Sequence, residues 1–179
     1  MHFKTLWPLI FLFMAVACSS LKPGVSPAPR TSVNLRKGFV INQKKSLIYE
    51  DECASCHIGY AAGLLPERSW TRIMEDLEHH FGQNAETDES SRREIISYLK
   101  KYAADAARAS KQSKQLAAMI LSNETPVRIT ETFFWKRKHS AIKGYVWRRA
   151  DIPSRSKCDA CHLDAGKGLF DERTVQIPK

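Results

Sequence analysis

The sequence predicts a mainly helical chain. Three observations lead there. Apolar residues recur at helical spacing in three stretches, 67–81, 88–104 and 111–121. Two identical cysteine-histidine patterns lie in different halves of the chain, each needing a scaffold of its own. A length of 179 residues, with 43% apolar and 26% charged residues, suits one or two small globular domains. That composition excludes both a disordered chain and an integral membrane bundle.

The elements follow in order. His2 and Lys4 form a polar start, Leu6 to Ala17 is apolar apart from Pro8, and Ala15-Val16-Ala17 closes the run with small residues. Residues 1–17 therefore read as a secretory signal peptide, too short for a comfortable membrane span. Cys18 follows at once. Two readings share the same cleaved bond: ordinary signal-peptidase cleavage after Ala-x-Ala, or lipoprotein processing with lipid on Cys18. Lipidation is favoured, because an odd exported cysteine otherwise needs a partner or stays reactive. A lipid there would hold the protein at a membrane surface. Residues 18–36 contain Pro23, Pro27, Pro29 and Gly24 and little apolar periodicity, which describes a tether.

Pro66 opens the first helical stretch, in which Trp70, Ile73, Met74, Leu77 and Phe81 make one stripe and Gly82 ends it. The second starts near Asp88 and Glu89 and shows Ile95, Leu99 and Tyr102 on one face, with Ile96 beside them. The third runs from about Lys111 to Leu121.

The informative pattern is Cys53-Ala54-Ser55-Cys56-His57, repeated as Cys158-Asp159-Ala160-Cys161-His162. This is the attachment pattern for covalently bound c-type haem. Two thiols three positions apart reach the two vinyl groups on one edge of a porphyrin. The next residue then lies under the ring, where its imidazole binds iron. A four-cysteine zinc site would separate its pairs by about 15–20 residues, far less than here. A redox Cys-x-x-Cys needs only one pair and a strand-helix context. Two haems are thus expected, on Cys53 and Cys56 and on Cys158 and Cys161, with His57 and His162 as proximal iron ligands.

Each iron has a sixth position. The candidates are His79, His80, His139, Met74 and Met119. Met74 lies within an apolar stripe and Met119 beside Ile120 and Leu121, so both read first as core. His80 continues the apolar face three residues beyond Leu77, whereas His79 turns away from it. His80 is the better distal ligand for the first haem, the bland alternative being a helix-end histidine favoured by the dipole. His139 follows Phe133-Phe134-Trp135 and a basic run, 23 residues before His162, and is the natural partner for the second haem. A solvated histidine in a basic run is its alternative, and a crossed pairing stays open.

These residues resemble the bacterial dihaem cytochromes c known as the DHC type. The likeness rests on Glu52-Cys53-Ala54-Ser55-Cys56-His57, Gly63-Leu64-Leu65-Pro66-Glu67-Arg68-Ser69-Trp70 and His80-Phe81-Gly82. It continues through Arg128-Ile129-Thr130-Glu131-Thr132, Lys138-His139 and the segment from Cys158 to Pro178, covering about residues 45–178. The resemblance implies a class-I cytochrome c-like haem domain over 37–106 and a smaller, loop-rich C-terminal haem domain over 107–179. It implies bis-histidine ligation through His80 and His139. It also implies electron transfer between a membrane b-type cytochrome and a small oxygen-binding cytochrome c in the periplasm. The doubled His79-His80 and the lipid signal depart from the family pattern.

Charge is unevenly placed. The chain carries a formal +9, with seven acidic residues between Glu75 and Glu94 and seven basic ones between Arg128 and Arg149. Opposite poles could orient two partners; two ordinary solvated faces are the alternative. Each ferric haem adds a net negative charge, and no nucleic-acid reading motif is present, so nucleic acid is not expected as a partner. No general acid, base or nucleophile stands out, so an electron carrier is expected, with low potentials because the thioether of His/Met cytochromes is missing. Two other classes stay open: a ligand-binding or peroxidase-like haem, with His139 as the weaker cap, and a redox sensor.

Overall fold

The computed structural model describes residues 39–41 and 44–179. The signal peptide, the tether and Cys18 lie outside the described residues. The elements run β1 (Phe39–Val40), α1 (Leu47–Cys53), α2 (Glu67–Met74), α3 (Glu89–Tyr102), α4 (Lys111–Ala118), α5 (Phe133–Lys138) and β2 (Leu169–Phe170), joined by turns and short 3-10 segments. The chain is mainly helical, as its periodicity predicts. Among the described residues no helix is long and apolar enough to cross a membrane.

Local chemistry starts the helices. The Ser46 hydroxyl accepts from the Tyr49 amide at the head of α1, the Asp88 carboxylate from Ser90 and Ser91 at α3, Ser110 from Ser113 at α4 and Thr132 from Trp135 at α5. Each side chain satisfies an amide that the helix itself cannot. Lys100 and Lys101 then suit the negative end of α3.

Two cores result. In the first, α2 and α3 pack Trp70 and Met74 against Ile95 and Leu99, with Leu65 and Tyr49 completing the cluster. Each such side chain contributes roughly 1.5–3 kcal/mol when fully buried. The Trp70 indole donates to the Ala62 carbonyl at 2.7 Å, and Tyr49 Oη to the Tyr60 carbonyl at 2.9 Å. The second core joins Phe39, Ile41, Ala61 and Leu64 to Leu116 and Met119 of the later segment, with Phe133, Phe134 and Phe170 packed against it. Met74 and Met119 are thus core residues. Strand β1 pairs antiparallel with β2, Phe39 opposite Phe170. Gly168, at φ +73°, lets the chain pass so close to Ile41 that an added Cβ would sit 2.5 Å from the Ile41 carbonyl oxygen.

The first helix differs from its periodicity. The stripe predicts a helix over 67–81, but α2 stops at Met74. Glu75, Asp76 and Glu78 crowd the negative end of the helix dipole, where carboxylates are unfavourable. The chain turns instead. The Leu77 carbonyl accepts from the amides of His80 (3.3 Å) and Ala85 (2.8 Å), and Phe81 takes φ +53° ahead of Gly82 at +94°. A left-handed conformation costs a non-glycine residue roughly 1–2 kcal/mol. The Arg128 guanidinium, 3.9 Å from the Phe81 ring centre, helps hold it.

Candidate functional site

The first site forms where α1 ends. Cys53 is the last residue of that helix, and the turn after it carries Cys56 and His57. The His57 Nδ1 lies 2.7 Å from the Ile58 carbonyl, and its ring stacks on Tyr60 with centres 4.7 Å apart. Across from it stands His80, brought there by the turn after α2. The two imidazole centres are 6.2 Å apart with planes inclined by 29°.

The second site is built on the 3-10 segment Cys158–Ala160. The His162 amide donates to the Cys158 carbonyl at 2.8 Å, which curls the string so that both thiols and the imidazole share one cavity. Phe39, Trp135, Trp147, Ile152 and Phe170 form its apolar wall. His139, directly after α5, faces His162 with centres 6.1 Å apart and planes inclined by 79°.

These separations can be tested against a bound iron. With metal–imidazole bonds of about 2.0–2.1 Å and each ring centre ~1.1 Å beyond its nitrogen, two axial imidazoles need about 6.3 Å between centres. Both pairs fit. The protonation state fits as well. Burial lowers the pKa of His80, His139 and His162, which holds the rings in the neutral, ligating form. Burial also pushes the Cys53 and Cys158 thiols up to about 11.

His80 and His139 are held unequally. His139 Nδ1–H donates to the Trp135 carbonyl at 2.9 Å, leaving Nε2 unprotonated, and its ring lies flat on Trp135 at 4.3 Å. Trp147 closes in from the side. His80 has no hydrogen-bond partner for its ring among the described residues, and its aromatic neighbour Phe81 is 45% exposed. The ligand-binding alternative takes His139, between Lys138 and Ser140, as the weaker cap. The structure gives it the firmer seat, since the helical turn of α5 sets an i−4 carbonyl under its Nδ1. His79 points away, paired with the Asp76 carboxylate at 2.9 Å and 74% exposed.

Sequence reasoning missed Tyr60. Its ring covers His57 and its hydroxyl donates to the Ser156 carbonyl at 2.8 Å, two residues before Cys158. Burial pushes its phenol up to about 12. One side chain therefore touches the proximal residue of the first site and the backbone leading into the second. Its only mark in the sequence is an aromatic ring among small residues, Gly59-Tyr60-Ala61-Ala62-Gly63.

A helical scaffold that presents two attachment strings, each with an imidazole pair spaced for iron, defines a two-centre c-type haem protein. The dihaem cytochrome c (DHC) family model matches residues 49–170. A dihaem cytochrome c from Rhodobacter sphaeroides is 42% identical, covering 70% of this chain and 97% of its own, with a TM-score of 0.62. A second structure, of DHC purified from that organism, is 39% identical over 72% of this chain and 100% of its own, with a TM-score of 0.59. The dihaem cytochrome sb-DHC of Shewanella baltica OS155 is 38% identical over 74% and 92%, also at 0.59. No curated protein matches. The chain belongs to the dihaem cytochrome c family, and its cofactors are two c-type haems.

Proposed function

We propose that this protein is an exported electron carrier with two closed, bis-histidine haems, His57 with His80 and His139 with His162. The observation that carries the reading is the matched imidazole spacing at both attachment strings, 6.2 and 6.1 Å. When bound, each haem supplies a one-electron couple. The chain's own residues supply the rest. The four cysteines would tether the rings, the two histidine pairs would ligate the irons, and the apolar walls around His139 would keep water from the second. The Tyr60 ring stacks on His57, and its hydroxyl holds the backbone that leads into Cys158. Two imidazoles per iron favour low potentials. The electron donor is then a membrane b-type cytochrome or another low-potential protein, and the acceptor a periplasmic redox protein such as an oxygen-binding cytochrome c. Lipid on Cys18 would keep the carrier at the membrane.

Charge supports two separate docking faces. Asp76, Glu78 and Glu86 are exposed on the loop that carries His80 and Phe81, whereas Lys136, Arg137 and Lys143 are exposed near His139. An acidic face suits a basic partner at the first haem, and a basic face an acidic partner at the second, with steering that weakens as salt rises.

Low-temperature electron paramagnetic resonance of the ferric protein tests the reading, with haem counted in the same sample. Two low-spin signals are expected at two haems per chain. They should differ, because nearly parallel imidazole planes split the iron orbitals more than nearly crossed ones. A substantial high-spin signal would mean an open iron and overturn the closed-carrier reading.

A further inference from the structure

The cavity around His139 and His162 carries three cationic side chains, Lys138, Arg155 and Lys157. Two of them are committed within the protein. Lys138 pairs with Glu172, and Lys157 with Asp159 at 2.6 Å. Arg149, nearby, donates to the Pro178 carbonyl. Arg155 has no carboxylate partner among the described residues. Its guanidinium instead stands 5.5 Å from the Trp147 ring centre, on the cavity wall. Trp147 in turn contacts His139 and Trp135, so Arg155 is braced by the same aromatic group that seats the distal imidazole.

A haem brings two propionate carboxylates into this cavity. An ionised carboxylate beside apolar walls needs a cationic partner or water. Arginine fits that need best, because its planar fork matches a carboxylate with two parallel hydrogen bonds and its face stacks on an aromatic ring. Arg155 also lines the same cavity as Cys158, Cys161, His139 and His162, so a haem attached there lies against the wall that carries it. We propose that Arg155 is the propionate-binding residue of the second haem and that its charge raises that haem's potential. The inference rests on the second haem being attached through Cys158 and Cys161.

The test is a potentiometric titration of the full-length, two-haem protein and of Arg155→Gln and Arg155→Lys, with haem content and resonance signals measured alongside. Removing the positive charge stabilises the ferric state. Arg155→Gln should lower one midpoint, changing that reduction equilibrium roughly tenfold, or ~59 mV for a one-electron couple. The other midpoint and both low-spin signals should stay in place, and Arg155→Lys should retain most of the parent value. Unchanged midpoints in Arg155→Gln, equal shifts at both haems, or a lysine variant as low as the glutamine one would overturn the proposal. A parent protein holding one haem would instead overturn the two-haem reading, and this inference with it.

Discussion

Replacing Tyr60 with phenylalanine removes one hydroxyl and leaves the ring. The hydroxyl donates to the Ser156 carbonyl at 2.8 Å, across 96 residues of sequence. A hydrogen bond of this kind contributes about 1 kcal/mol net. Ser156 is half-buried, so water can replace part of what is lost and the penalty of a fully orphaned carbonyl does not apply. A loss of about 1 kcal/mol corresponds to roughly 2–4 °C in Tm for a domain of 150–250 residues. The phenylalanine ring should keep the stack on His57, 4.7 Å in the parent, so electron equilibration between the haems should keep its rate. Tyr60→Leu removes both the bond and the stack, and should lose stability and slow that equilibration together. Denaturant titration at neutral pH gives the first quantity, and flash photolysis of partly reduced protein the second. A phenylalanine variant as stable as the parent would refute the bond between the two sites. Equal slowing in both variants would refute a role for the ring.

Other outcomes follow from the same geometry. His80→Met replaces an imidazole by a thioether at the first iron and should raise one midpoint potential while leaving the second, read by redox titration. Thr132→Ala deletes the cap of α5, which accepts from the Trp135 amide at 3.3 Å. The expected cost is about 1 kcal/mol in thermal unfolding, with the change in the resonance spectrum confined to the haem paired by His139. Gly63→Ala places a Cβ 2.3 Å from Ser113 Oγ and 2.7 Å from Ile41 Cγ2, and overpacking of that order costs about 1–3 kcal/mol in denaturant titration. Hydrogen bonds from Arg173 lower the Asp171 carboxyl to about 2. Its contribution to stability is present above its unfolded pKa of about 3.9 and lost as pH falls through the folded value. Acid unfolding of Asp171→Asn should therefore be flatter across that window than in the parent.

Much of this protein could be read from its residues because c-type haem attachment writes its chemistry into a short local string. The spacing Cys53–Cys56–His57 identifies the cofactor before any fold is known. The distal side is harder. His80 reaches the side of His57 through a turn, while its place on a helical stripe suggested the same residue for a different reason. The stripe was real as far as Met74, but three carboxylates at the helix end outweighed it. The short helices α1 and α5 left no periodic signal, since seven and six residues span too few turns to show one. Tyr60 was illegible because its meaning lies in Ser156, far along the chain.

The pairing of Phe39 with Phe170 brings the first and last described parts of the chain together. Both phenylalanines wall the second haem's cavity. Phe39 and Phe170 stand 131 residues apart in sequence, so that cavity lacks one wall until two distant segments meet. The first attachment string has its supporting helices, α1 to α3, close by in sequence. Closing the second centre therefore needs a long-range contact, whereas the first rests on helices that are neighbours in sequence.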